Sequence, residues 1–235
     1  MKDLIEQGLA ELNLEVSNAA AEQLSQYGRL LLEQNKVMNL TAITEPDQVV
    51  ALHFLDSAAL LKVNDFKEKR VIDVGTGAGF PGLALKILEP TIKLTLLDSL
   101  GKRIDWLSEA GTALGTRNVE YLHARAEEQG LVKGYRDAFD LVTSRALADM
   151  RVLCELCLPY VKPGGLFIAM KSVECAEELK LASNAIKTLG GALAFTRDYR
   201  IPGTEITHRA VVIEKKNATP KGYPRRWAKI QKSPL

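Results

Sequence analysis

Residues 71–82 read VIDVGTGAGFPG: a short apolar run that passes directly into Gly75, Gly77, Gly79 and Gly82, with Pro81 before the last of them. Such a run, bounded by glycines, predicts a buried strand entering a tight turn. Without Cβ atoms the turn can adopt positive φ and bring its backbone close to a ligand, while Pro81 is preset for the first turn of a helix. Outward from this point the pattern alternates: strand 70–74, helix 81–88, strand 92–97, helix 101–114, strand 118–122 and a short helical or loop stretch 125–136. It continues with strand 139–144, a helix in LADMRVLCELCLPYV, strand 164–170 and a helix in VECAEELKLASNAIKTL. This alternation predicts a mainly parallel sheet with helices on both faces. The last two strand-like runs, GALAFTRDYRI and HRAVVIEKK, are separated by PGTEIT, too short for a crossover helix, so they should pair antiparallel.

About 65 residues precede the first strand. Apolar residues recur at helical spacing at Leu4, Ile5, Leu9 and Leu12, then from Ser17 to about Asn35 at Ala21, Leu24, Tyr27, Leu30 and Leu31; Ser17 can cap the second helix. A third helical stretch follows in VVALHFLDSAALLK. The expected division is a helical extension over 1–65 packed on the core, an α/β domain over 66–216 and a basic tail over 217–235.

The 235 residues, 46% hydrophobic, suffice for one domain with such appendages. No apolar run approaches the roughly 20 residues that span a bilayer, and the acidic opening MKDLIEQGLAELNLEV does not read as a signal peptide. A soluble cytoplasmic chain without a membrane partner is expected. Cys154 and Cys157 lie one helical turn apart and Cys175 is isolated, which supplies neither a disulfide framework nor a zinc site; reduced thiols and no metal are expected. The net charge of +2 is uneven: residues 214–235 hold seven Lys or Arg against one acid, a local +6 that leaves about −4 on residues 1–213. With Tyr223 and Trp227 the tail offers cations and rings, the pairing that nucleic-acid surfaces use.

An α/β sheet finished by an antiparallel hairpin outlines the Rossmann-like class I S-adenosylmethionine-dependent methyltransferase fold. The glycines agree, since Asp73, Gly75, Gly77 and Gly79 give D-x-G-x-G-x-G. The dinucleotide spacing G-x-G-x-x-G fits only as Gly77, Gly79 and Gly82, two residues late and with Pro81 inside the loop. Asp98 ends the second strand, 23 residues after Gly75, where a carboxylate can receive a ribose diol. Ala126 and Glu127 stand where this fold presents a backbone amide and an acceptor to adenine. The fourth strand ends in DLVTSRALA: there is no Asn/Asp-Pro-Pro-aromatic stretch for an exocyclic amine, and Cys154 and Cys157 fall too deep in the helix to serve as a pyrimidine nucleophile. Acceptors that are already nucleophilic remain, guanine N7 being the clearest in nucleic acid. Transfer to such an atom needs alignment and tolerance of positive charge, not a general base.

In combination, TGAGFPG, LLDS with GKR following, HARAEE, TSRALA, MNLTAI, HFLDS and AMKS resemble the bacterial 16S ribosomal RNA guanine-N7 methyltransferases, the RsmG family once called glucose-inhibited division protein B. The resemblance covers nearly the whole chain. It implies methyl transfer from S-adenosylmethionine to N7 of guanine 527 in the 530 loop of 16S rRNA, releasing S-adenosylhomocysteine, by a monomer acting on the 30S subunit or an assembly intermediate and not on DNA. It places Gly75, Gly77, Gly79, Phe80, Asp98, Ser99, Ala126, Glu127 and Arg145 against the cofactor, with only an apolar contact carried over for Phe80. Arg145, Asn39 and Lys171 take the catalytic positions, Arg145 holding cofactor or a nucleotide phosphate; His53, Lys102, Arg103, Arg125, Lys171, Arg225 and Arg226 face RNA. The rival readings are a methyltransferase for a small molecule or protein with the helical N-terminus as lid, a nicotinamide-dependent oxidoreductase using the displaced glycine register, and a non-catalytic RNA-binding module.

Overall fold

The computed structural model describes residues 1–145 and 148–235. Two helices, α1 (Lys2–Glu11) and α2 (Asn18–Met38), open the chain. Ser17 caps α2 as its spacing predicts, its hydroxyl accepting the Ala20 N–H at 3.2 Å, and Asn39 stops the helix in the left-handed region at φ 50°. The third helical stretch is not uniform. A short α3 (Pro46–Val49) widens into a π-helical turn over Val50–Leu55, which tightens again through α4 (Asp56–Ala58) and a 3-10 turn over Ala59–Lys62. Apolar periodicity cannot register such changes of pitch.

The alternating part follows as β1 (Arg70–Val74), α5 (Gly82–Leu88), β2 (Lys93–Asp98), α6 (Gly101–Ala113), β3 (Val119–His123), α7 (Ala126–Gln129), β4 (Phe139–Arg145), α8 (Met150–Cys157) and β5 (Val161–Ser172). Of the helix expected over 147–161, Leu147 lies outside the described residues, and α8 begins at Met150, where the Asp149 carboxylate caps it by accepting the Arg151 and Val152 N–H groups. The single helix expected over 173–189 divides at Ala182 into α9 (Ala176–Leu181) and α10 (Ser183–Thr188). Last come β6 (Gly191–Arg200), β7 (Thr207–Lys215) and α11 (Trp227–Lys232).

The described residues form a sheet in the order β3-β2-β1-β4-β5-β7-β6. β1 to β5 pair in parallel, and β7 is antiparallel to both neighbours, as the short PGTEIT connection requires. Alternation along the strands divides the core between two faces. Val71, Leu96 and Val212 pack with α1, α2, α5 and α6, whereas Ile72, Leu97 and Val211 pack with α8, α10 and α11. The N-terminal helices therefore share one continuous core with the sheet, an arrangement unlike a detachable lid. Among the described residues no helix is long and apolar enough to cross a membrane.

Candidate functional site

The carboxyl ends of β1, β2 and β4 border a cavity of about 490 Å3, whose lining includes the glycine loop, Asp98, Glu127, Arg145, Thr41 and Trp227. Asp73 holds the loop in place: its buried carboxylate accepts from Thr76 Oγ1 at 2.7 Å, Thr143 Oγ1 at 2.9 Å and the Gly82 N–H at 3.1 Å. Gly75 and Gly77 take positive φ and line the cavity, and a Cβ on Gly77 would meet nothing closer than 4.0 Å. Gly79 faces the other way. A Cβ there would collide with the Tyr27 hydroxyl and Leu107, so this glycine lets α2 seat on the loop and its expected cofactor contact gives way to that packing role. Gly82 is inside α5, pressed against Asp73 and Leu96, so the Gly77-Gly79-Gly82 register does not present three glycines to a ligand.

At the second strand's end, Asp98 is 4% exposed. One carboxylate oxygen accepts the Gly77 N–H and the other the Leu100 N–H, both at 2.9 Å, and the remaining lone pairs can take a ribose diol. Arg103 lies 3.6 Å from the same carboxylate, so it borders the cofactor end, while Lys102 is exposed beside it and Ser99 lines the cavity. Glu127 is 5% exposed, yet its carboxylate accepts no hydrogen bond among the described residues and has only Arg125 Nη1 at 3.8 Å. Its oxygens are open to the cavity, and such an acceptor beside Ala126 suits an adenine amine. These donors, acceptors and bare backbone fit S-adenosylmethionine.

The opposite end of the cavity is built by residues far apart in sequence. Arg145 Nη1 donates to the Leu52 carbonyl at 2.8 Å and to Asp56 Oδ2 at 3.1 Å, and Nη2 lies 2.9 Å from His53 Nδ1. The π-helical turn presents Leu52 and His53 together, consistent with the frequent use of such turns at functional sites. Asp56 Oδ1 accepts from Tyr199 Oη and His208 Nδ1, both at 2.9 Å, so the terminal hairpin joins the same network. Phe80 stacks on His53 at 4.5 Å between centroids and lies under the Arg145 guanidinium. Its role thus extends beyond the apolar contact expected for it. Arg145 stands in the cavity wall as expected, but the helical extension holds it there.

Burial, aided by the Arg145 charge, holds the His53 pKa down to about 3. The ring is neutral in the folded chain and protonates near its ordinary value when unfolded, so its contribution to stability is complete above about pH 6.5 and is lost as pH falls toward 3. Between pH 7.5 and pH 5 the wild-type chain should lose about 2 kcal/mol more than His53→Gln, read by urea unfolding at each pH. Parallel profiles would contradict this.

Several expected residues lie elsewhere. Asn39 is the exposed left-handed terminus of α2 and does not line the cavity. Lys171 pairs with Glu178 at 2.7 Å and donates to the Ala148 carbonyl, also outside the cavity lining. Arg125, 54% exposed, borders the cavity next to Ala126 and also lines an adjoining cleft with Glu127, Glu128 and the exposed Arg226. Arg225 is committed to the protein instead: its backbone N–H, Nε and Nη2 all bind the fully buried carboxylate of Glu155 at 2.6–2.9 Å. The guanidinium anchors the tail on α8. Lys215 is likewise buried against Asp137, Thr219 and the Leu158 carbonyl. Cys154 and Cys157 lie in the core, where burial pushes their thiols up and removes nucleophilic character.

Because the tail is anchored, Trp227 lines the cavity beside Leu156 and Glu127. The sequence marked its ring only as a stacking surface for nucleic acid; its fold-back goes with the pairing of Arg225 with Glu155, distant by 70 residues, and with the hold of Arg136 on the Thr219, Pro220 and Tyr223 carbonyls. Thr41 was also missed, one residue beyond the Asn-Leu of MNLTAI.

Residues 20–206 match the family described as GidB, rRNA small subunit methyltransferase G. Relatives named ribosomal RNA small subunit methyltransferase G include one from Alkaliphilus oremlandii, 48% identical over all of this chain and 99% of its own, and one from Clostridium perfringens, 44% identical over 99% and 98%. A solved S-adenosylmethionine-dependent methyltransferase from Aquifex aeolicus superposes with a TM-score of 0.52 at 18% identity, over 77% of this chain and 97% of its own. The shared architecture is the class I methyltransferase fold.

Proposed function

From the premise that the chain belongs to the rRNA small subunit methyltransferase G family, and so is an S-adenosylmethionine-dependent rRNA methyltransferase, we propose that it methylates N7 of guanine 527 in the 530 loop of 16S rRNA. The observation that carries this reading is the absence, among the described residues of the acceptor end, of a side chain free to take a proton. Both ring nitrogens of His53 are engaged, and Asp56 is shared by Arg145, Tyr199 and His208. An acceptor that carries a lone pair and no proton fits such a site; N7 of guanine is one, whereas an exocyclic amine must shed a proton.

The bound cofactor supplies an electrophilic methyl on a sulfonium. Asp98 accepts the ribose hydroxyls, Ala126 and Glu127 face the adenine, and the Gly75–Gly77 backbone admits the cofactor closely. Arg145, fixed by the extension, orients the nucleotide and disfavours the cationic product, which assists release. The substrate is 16S rRNA within the 30S subunit or an assembly intermediate in the cytoplasm, approached by the monomer through Lys102, Arg103, Arg125 and Arg226. An acidic body otherwise offers RNA little attraction.

Trp227 covers the adenine end of the cofactor. Trp227→Ala should weaken S-adenosylhomocysteine binding about tenfold by calorimetry; unchanged affinity would remove the assignment. The reaction itself is tested by labelling rRNA with methyl-labelled cofactor and digesting it to nucleosides. Label in 7-methylguanosine is expected, and label at an exocyclic amine, a ring carbon or a ribose would reject the reading.

A further inference from the structure

One hydroxyl at the acceptor end has its direction set by its surroundings. The side chain of Asn35 clamps the peptide of Thr41 from both sides: Oδ1 accepts the Thr41 N–H and Nδ2 donates to the Thr41 carbonyl, each at 2.9 Å. Thr41 Oγ1 accepts the Ile43 N–H at 3.1 Å and lies 2.9 Å from His53 Nε2. The far ring nitrogen decides which of that pair donates. His53 Nδ1 faces Arg145 Nη2 at 2.9 Å, and a guanidinium has donors only, so Nδ1 is bare and the proton of the neutral ring is on Nε2. Thr41 Oγ1 thus receives two hydrogen bonds, and its own proton has no acceptor among the described residues. With Thr41, His53, Phe80 and Arg145 all in the cavity wall, this hydroxyl can act there only as a donor.

Resting on the guanine reading above, we propose that Thr41 determines base specificity by donating its hydroxyl proton to O6 of the target guanine. On that edge guanine presents two acceptors, N7 and O6, whereas adenine replaces O6 with a donating amine. A donor-only hydroxyl engages the first and meets the second donor to donor, leaving a desolvated polar pair without a partner. Because O6 adjoins N7, the same bond fixes the edge that receives the methyl. Thr41 transfers no proton; it reads and positions the base. The chain connects this readout to the site through His53, whose tautomer Arg145 selects.

The test uses full-length protein and 30S subunits reconstituted with 16S RNA carrying either guanine or 2-aminopurine at the target position; 2-aminopurine keeps N7 and lacks O6. Thr41→Val should lower kcat/KM on guanine RNA about tenfold with S-adenosylhomocysteine affinity unchanged, and Thr41→Ser, which restores the hydroxyl, should return most of it. Wild type should disfavour 2-aminopurine by a similar factor, and Thr41→Val should not. Full activity in Thr41→Val, or a 2-aminopurine penalty undiminished in that variant, overturns the proposal. Digestion of the wild-type product separates the two levels: 7-methylguanosine leaves the guanine reading intact whatever Thr41→Val does, whereas methyl on another atom removes that reading and the proposal with it.

Discussion

Asp98→Ala is expected to weaken S-adenosylhomocysteine binding by about a hundredfold, and methylation at limiting cofactor with it. Two charge-assisted hydrogen bonds to a ribose diol, each contributing about 1.5–3 kcal/mol, are lost together. The same carboxylate also receives the backbone N–H groups of Gly77 and Leu100, so its removal loosens the glycine loop and the start of α6 at once. Asp98→Asn separates these effects: its single carbonyl oxygen can retain one backbone bond while the charge is gone, and an intermediate loss should result. Calorimetric titration of each variant, with thermal unfolding to establish that the ligand-free folds are comparable, provides the readout. An Asp98→Ala chain that bound within a few-fold of wild type would place the ribose elsewhere.

The largest effect on stability should come from Arg225→Ala. Glu155 is fully buried, and Arg225 supplies three donors to its carboxylate. Truncation leaves a desolvated charge with only the backbone donor, so about 3 kcal/mol should be lost, or roughly 6–12 °C in Tm for a chain of this size. Replacing both partners with apolar residues of similar volume, as in Arg225→Met with Glu155→Leu, should recover most of that loss. Since the pair seats the tail that brings Trp227 to the cavity, Arg225→Ala should weaken S-adenosylhomocysteine binding as well. A variant that unfolded as the wild type does would show that the tail is held by other contacts.

The fold was largely legible because each main element carries its own local signal. The apolar run before Gly75, the alternation after it and the short connection before the last strand required no long-range information. Pitch and breaks did not announce themselves: the π-helical turn that carries His53 and the division at Ala182 lie within patterns that read as continuous helix. At the site, the positions of Gly75, Asp98 and Glu127 in the cavity wall were legible because each lies at or just beyond the carboxyl end of a strand, where a parallel sheet binds ligands. Gly79 was misread for an equally physical reason, since a glycine required by a ligand and one required by a neighbouring helix look identical in sequence. The acceptor end was the least legible. Its organising contacts join Arg145 to Leu52, His53 and Asp56, and Asp56 to Tyr199 and His208, separations of 89 to 152 residues that no spacing rule relates. Arg225 shows the reverse limit, because a basic tail reads as a surface for phosphates until its buried partner is known.

The central claim is best tested by one experiment. Purified protein is incubated with methyl-labelled S-adenosylmethionine and 30S subunits that lack base modification, and N7-methylguanine is mapped along the 16S rRNA by aniline-induced cleavage. A single strong stop at guanine 527 in the 530 loop is the predicted result. Label in the RNA without that stop, or no label while S-adenosylhomocysteine still binds, would contradict it.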